Sequence, residues 1–146
     1  MFATVLELTS AGFTFHMGSI VRGECGELSS SIETHVGNGG LIILPGKSMT
    51  ASQFARILNL YELGLGETEC IAHAEQRVLI VCTDDRAARR AAESHLGTDR
   101  ALGSLALIRE CVCSGRITSQ VAYVSYEQMR AKGGFLPDIP TTYFDC

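Results

Sequence analysis

The stretch RVLIVCTDDRAARRAA, residues 77–92, decides how the rest of the chain is read. Val78-Leu79-Ile80-Val81-Cys82 is short, β-branched and unalternating, the pattern of a strand buried on both faces as in a parallel sheet. In open α/β sheets ligands gather outside the carboxyl ends of the strands, so Thr83, Asp84 and Asp85 stand at a functional edge. Adjacent carboxylates repel, and a hard divalent cation held through oxygen ligands is one way to make such a cluster favourable. The other is structural: Asp84 or Asp85 caps the helix that follows by accepting its orphan amide hydrogens.

With 146 residues the chain has the usual size of one domain and can bury a real core. A hydrophobic share of 46% with 19% charged residues is that of a globular α/β protein, and the 15 glycines fall at turns and helix ends without a repeat. A formal charge of −4 argues against bulk electrostatic binding of nucleic acid and leaves only a local basic patch for phosphate contacts. The opening MFATVLELTSAGFTFH lacks the basic start and cleavage pattern of a secretory signal, so the six cysteines read as mostly reduced thiols of a cytoplasmic protein. Cys111 and Cys113 have no second Cys/His pair at zinc-finger spacing, and no apolar run is long enough to span a bilayer.

Working outward, residues 2–10 suggest a short helix, and Phe13-Thr14-Phe15-His16 a brief strand before a helix from Ser19 that carries Glu24 and Glu27. The GNGG at 37–40 ends that helix, Leu41-Ile42-Ile43-Leu44 forms a second apolar strand, and Pro45-Gly46 stops it. Ser48 or Thr50 caps a helix across Phe54, Ile57, Leu58 and Tyr61, and LGLG at 63–66 turns the chain into the helix ETECIAHA. After the 78–82 strand, an alanine-rich helix ends near Gly97, and helices over Leu102–Cys113 and Val124–Lys132 follow. Strands alternating with helices predict a single-domain, three-layer α/β/α sandwich with a parallel sheet, spanning residues 1–146 with a tail at 137–146.

GLGETECIAHA (64–74), VLIVCTDDRAARRAA (78–92), LGSLALIREC (102–111) with Gly115-Arg116-Ile117, and YEQMRAKGGFLP (126–137) resemble, in that order, the bacterial and archaeal PIN-domain proteins. The branch resembled has Gly-Glu-x-Glu, Thr-Asp-Asp-Arg and Gly-Ser/Thr-Leu motifs, and the likeness covers roughly residues 18–140. It implies a Mg²⁺- or Mn²⁺-dependent endoribonuclease, similar to VapC-type toxins that cut RNA, form homodimers and are held inactive by an antitoxin protein. It also implies an acidic site. Glu24, in Val21-Arg22-Gly23-Glu24, matches the family's helix glutamate, with Glu27 a less exact match. Glu69 takes the acidic place after the LGLG turn, while Glu67 points to another side of that helix and stabilises its N-terminus. Asp85 fits the acidic place after Thr83, and Asp84 is the extra aspartate of the branch. The implied metal ligands are therefore Glu24, Glu69 and Asp85, with Asp84 assisting. Arg86, Arg89 and Arg90, at i, i+3 and i+4, form either a phosphate-binding face or a solvated one.

The chain departs from the family at its start, where an apolar strand ending in the first metal-binding aspartate is expected. Met1–Leu8 aligns better with the end of the first helix, and Glu7 is too close to Glu24 to replace that aspartate. By family standards the chain is short at its N-terminus. A tail strand through Thr141–Asp145 filling the gap, with Asp145 as replacement ligand, is one solution. The alternative function is a catalytically impaired PIN-like binding or regulatory module. A nucleotide-binding module fits less well, because LGLGE lacks the P-loop lysine and the dinucleotide fingerprint.

Overall fold

The computed structural model describes residues 12–134 and 136–146, so the helix expected over residues 2–10 lies outside the described residues. Strand β1 (Phe15–Gly18) pairs in parallel with β2 (Leu41–Leu44), Phe15 opposite Leu41 and Gly18 opposite Leu44. The crossover between them is not one helix from Ser19. It is α1 (Ser19–Glu24), a 3-10 turn at Gly26–Leu28 and α2 (Ser29–Gly37). The break centres on Cys25, whose N–H closes α1 on Val21 and Arg22, and Gly23 and Gly26 on either side are poor helix formers.

Helix α3 (Ala51–Tyr61) starts at Thr50, whose hydroxyl accepts from the Gln53 N–H, as the cap signal predicts. Helix α4 (Leu65–Arg77) is the spine of the molecule. Gly66, Thr68, Glu69, Ile71, Ala72, His73 and Ala74 are all buried, and α4 packs against α1, α3, β1 and the third strand. A helix covered on nearly all sides is a core element, which fits the small and apolar residues along it.

The 78–82 segment is only partly the buried strand its composition suggests. Val78 ends α4 in the left-handed conformation (φ 54°) and is 77% exposed, so the strand starts later, as β3 (Val81–Cys82). Val81 is buried while its neighbours Ile80, 57% exposed, and Cys82 face outward, leaving one face open. The α4 exit is held by Arg100, which donates to the carbonyls of Leu79 and Ala74. After α5 (Arg86–Leu96) and a 3-10 turn, β4 (Ala101–Leu102) pairs in parallel with β3. Leu102 thus belongs to a strand, and α6 begins at Ser104. Among the described residues the parallel strands form two two-stranded sheets, β1–β2 and β3–β4, in a mixed α/β fold. No helix among them is long and apolar enough to cross a membrane.

Helices α6 (Ser104–Cys113) and α7 (Ser119–Ala131) pack with the tail into a separate cluster around Ile108, Tyr126 and Met129. The tail is not a strand beside β1 or β3. Thr141–Phe144 forms a 3-10 turn, Phe144 is fully buried in the α6–α7 cluster, and Asp145 is exposed beside it. The aromatic ring wins over strand pairing because the seat between α6 and α7 removes it from water completely. The reading of the cysteines as reduced thiols also fails for one pair: Cys113 and Cys146 are disulfide-bonded, with Cα atoms 5.4 Å apart. Replacing Phe144→Ala is expected to lower unfolding stability by about 3–5 kcal/mol, read as a fall in urea midpoint.

Candidate functional site

A cleft of about 200 Å³ opens where α1, α4 and β3 meet, with Val21, Glu24, Glu67, Cys70 and Thr83 among its lining residues. Glu24 comes from the last turn of α1 and is exposed; Glu67 comes from the first turn of α4. The Glu24 carboxylate lies over Gly66, where a Cβ would come within 2.6 Å of its Oε2, so the glycine is what lets the acid settle on the start of α4. Glu67 bends back over Gly64 at the helix start, where its charge suits the exposed N–H groups, and it also faces the cleft.

Glu69 is elsewhere. It is fully buried; Oε1 accepts from the Ser19 hydroxyl at 3.0 Å, and Oε2 from the Ile20 and Val21 N–H groups at 2.8 and 3.2 Å. It therefore caps α1, whose own cap position, Gly18, has no side chain to offer. A Cβ on Gly18 would lie 2.1 Å from Oε2 and 2.7 Å from Cγ of this immobile group.

The two aspartates are parted by the same logic. Asp85 caps α5, accepting from the Ala88 N–H at 2.7 Å. Asp84 reaches across to α6, accepting from the Ser104 N–H at 2.8 Å and the Ser104 hydroxyl at 2.6 Å. Arg89 donates to the Thr83 carbonyl at 3.2 Å and so braces the strand end, whereas Arg86 and Arg90 are exposed. Of the basic face at 86, 89 and 90, two guanidinium groups are free to meet an anion.

Beneath Glu69 lies His73, 2% exposed. Its Nε2 is 3.9 Å from Glu69 Oε1 and has no hydrogen-bond partner; Nδ1 faces the Ser48 hydroxyl and Arg77, each at 3.4 Å. Burial lowers its pKa below the ordinary 6.5, against the pull of Glu69 and with help from Arg77 and His16. Burial, reinforced by Glu69, Glu67 and Glu24, pushes the Cys70 thiol up to about 12, so it is no nucleophile at neutral pH. Cys82 is exposed at the cleft, yet crowding by the walls pushes it to about 12 as well.

Among the implied ligands, then, Glu24 is open to the cleft and Glu69, Asp84 and Asp85 are engaged with helix N-termini. Glu67, read from sequence only as a helix stabiliser, joins Glu24; the paired Gly-Glu at 66–67 was its signal. Ser104, which receives Asp84, is the serine of the Gly-Ser/Thr-Leu motif, whereas Ser19, which receives Glu69, carried no signal of its own. Among the described residues no group of three or more His, Cys, Asp or Glu side chains is gathered closely enough to hold a metal ion. Comparison with family models, curated proteins and solved structures returns no match.

The acids divide into structural and free groups, and stability measurements separate them. Glu69→Gln, which sets an amide NH₂ against a donor, is expected to lower unfolding stability by about 1–3 kcal/mol, and Gly18→Ala to be at least comparably damaging. Glu24→Gln is expected to change it by less than about 0.5 kcal/mol. The pH dependence follows from His73. Its folded pKa is depressed, so the unfolded chain takes up the proton first; stability is full above about pH 6.5 and declines as pH falls below it. His16 is lowered in the same direction by burial and Arg77. A chemical-denaturation series from pH 8 to pH 5 is expected to show this decline at up to about 1.4 kcal/mol per pH unit for His73, and a shallower one in His73→Gln.

Proposed function

We propose that the chain is a PIN-like Mg²⁺- or Mn²⁺-dependent endoribonuclease domain, in which the two parallel strand pairs are halves of the middle layer of an α/β/α sandwich. The packing of α4 against both β1 and β3 supports that arrangement. The observation that carries the functional reading is the shared cleft: Glu24 and Glu67 open into one space with Thr83 at the carboxyl end of β3. This is where open α/β sheets receive ligands. Mg²⁺ is commonly held by one or two carboxylates, with waters and substrate phosphates completing its shell, so these two hard oxygen donors fit the ion without Glu69. When bound, the ion supplies Lewis-acid polarisation of a phosphodiester oxygen.

The chain's own residues have separate tasks in this reading. Glu24 and Glu67 bind and orient. Asp84, Asp85 and Arg89 are positioning residues: they fix Thr83 and the starts of α5 and α6 at the rim. Exposed Arg86 and Arg90 hold backbone phosphates without reading sequence.

A second reading, a PIN-like binding or regulatory module without catalysis, is favoured by the engagement of Glu69, Asp84 and Asp85 with helix N-termini. Calorimetric Mn²⁺ titration paired with RNA cleavage separates the two. The nuclease reading expects saturable binding, weakened about tenfold or more by Glu24→Gln or Glu67→Gln, with cleavage falling in step. Asp85→Asn should keep Mn²⁺ binding. Absence of binding by the unaltered chain would leave the second reading. For RNA, Arg86→Ala with Arg90→Ala is expected to weaken affinity and to reduce the salt slope by about one for each phosphate that is no longer neutralised.

A further inference from the structure

We propose that the Cys113–Cys146 disulfide is a redox-operated staple: a small-molecule thiol opens it and releases the C-terminal turn from the α6–α7 core. The bond joins cysteines 33 residues apart in the sequence, and both are exposed, one at the end of α6 and the other just beyond the turn Thr141–Phe144. The bond therefore lies at the surface, where a small thiol can approach it. What the bond holds down is that turn, whose Phe144 ring is fully buried against Ile108, Tyr126 and Met129. Apart from that ring, the turn is tied by the Ser119 hydroxyl donating to the Phe144 carbonyl at 3.2 Å and by Tyr143 beside the Arg109 guanidinium, 5.7 Å from the ring centre. These attachments are few, so closing the loop makes a large difference to how often the ring leaves its seat.

The other four cysteines are placed to stay out of the exchange. Cys111, two residues before Cys113, is fully buried, and burial raises its thiol above the ordinary value. Burial raises Cys25 too, while Cys70 and Cys82 are pushed to about 12. Thiolates attack disulfides, and burial disfavours that form at all four. The exchange balances with glutathione as the external couple. One glutathione thiolate attacks a sulfur of the pair, the S–S bond breaks, and the other cysteine leaves as a thiolate and takes up a proton. A second glutathione thiolate then attacks the mixed disulfide and frees the remaining cysteine. Two electrons pass to the protein, and glutathione disulfide is the product.

The test uses the full chain equilibrated in buffers of graded reduced and oxidised glutathione, with exchange quenched by acid and free thiols then counted in denaturant by the mass gained from maleimide. We expect four free thiols at the oxidised end and six at the reduced end. The thermal midpoint should fall by roughly 5–12 °C across the same transition. Limited chymotrypsin digestion should cut at Tyr143 or Phe144, in the released turn, only in the reduced form. Cys146→Ser and Cys113→Ser, each made separately, have five cysteines and should show the reduced chain's thermal midpoint and proteolysis in every buffer. Six free thiols at the oxidised end, or an equal midpoint and equal proteolysis at both ends, would overturn the proposal.

Discussion

The carboxylate of Glu69 has no water to turn to, and the structure is arranged around where its hydrogen bonds go. Full burial of an acid is unfavourable unless its oxygens are met by donors. The donors come from α1, a helix so short that most of its N–H groups have no partner within it. One contact therefore satisfies both sides: the acid finds donors, and the helix finds the cap that Gly18 cannot supply. Because Glu69 sits in the middle of α4, the same bonds fix the β1–α1 unit against the central helix. The mouth of the cleft, with Glu24 at the far end of α1, is placed as a consequence.

The same device recurs at the other sheet. Gly103 stands at the start of α6 as Gly18 does at the start of α1, and in both places a distant carboxylate does what a local side chain would normally do. A Cβ on Gly103 would lie 3.0 Å from Asp84 Oδ1 and 2.6 Å from Arg89 Nη1. The glycine opens room for the acid, and the acid ties strand β3 to the helix beyond β4. Adjacent Asp84 and Asp85 escape mutual repulsion by facing different helices, Asp85 holding α5 and Asp84 holding α6. These carboxylate-to-helix ties brace the rim of the cleft.

Local chemistry is legible where a residue acts on its own neighbours. The Thr50 cap, the Leu41–Leu44 strand and the stop at Gly97 can all be read from a few adjacent residues, whereas the helix expected after LGLG already begins inside it, at Leu65. Elements whose bounds depend on distant contacts cannot. Val78 looks like strand by composition, yet Arg100, more than 20 residues on, secures the carbonyls that let α4 end there in a left-handed turn. Phe144 looks like a strand residue because the seat between α6 and α7 has no signature near it. The candidate site divides in the same way. Glu24 and the aspartates stand out by their motifs, but whether an acid faces solvent or a helix N-terminus depends on helices packed from elsewhere. That is why Glu67 and Glu69, two residues apart, exchange the roles the sequence suggests.

That exchange can be observed directly. With the glutamate side chains labelled with ¹³C at Cδ, an NMR titration with diamagnetic Mg²⁺ reads each carboxylate separately. Progressive shifts confined to Glu24 and Glu67, with Glu69 unmoved, are the expected result. A Glu69 resonance that shifts with them, or Glu24 and Glu67 resonances indifferent to the ion, would contradict the division of structural and open acids described above.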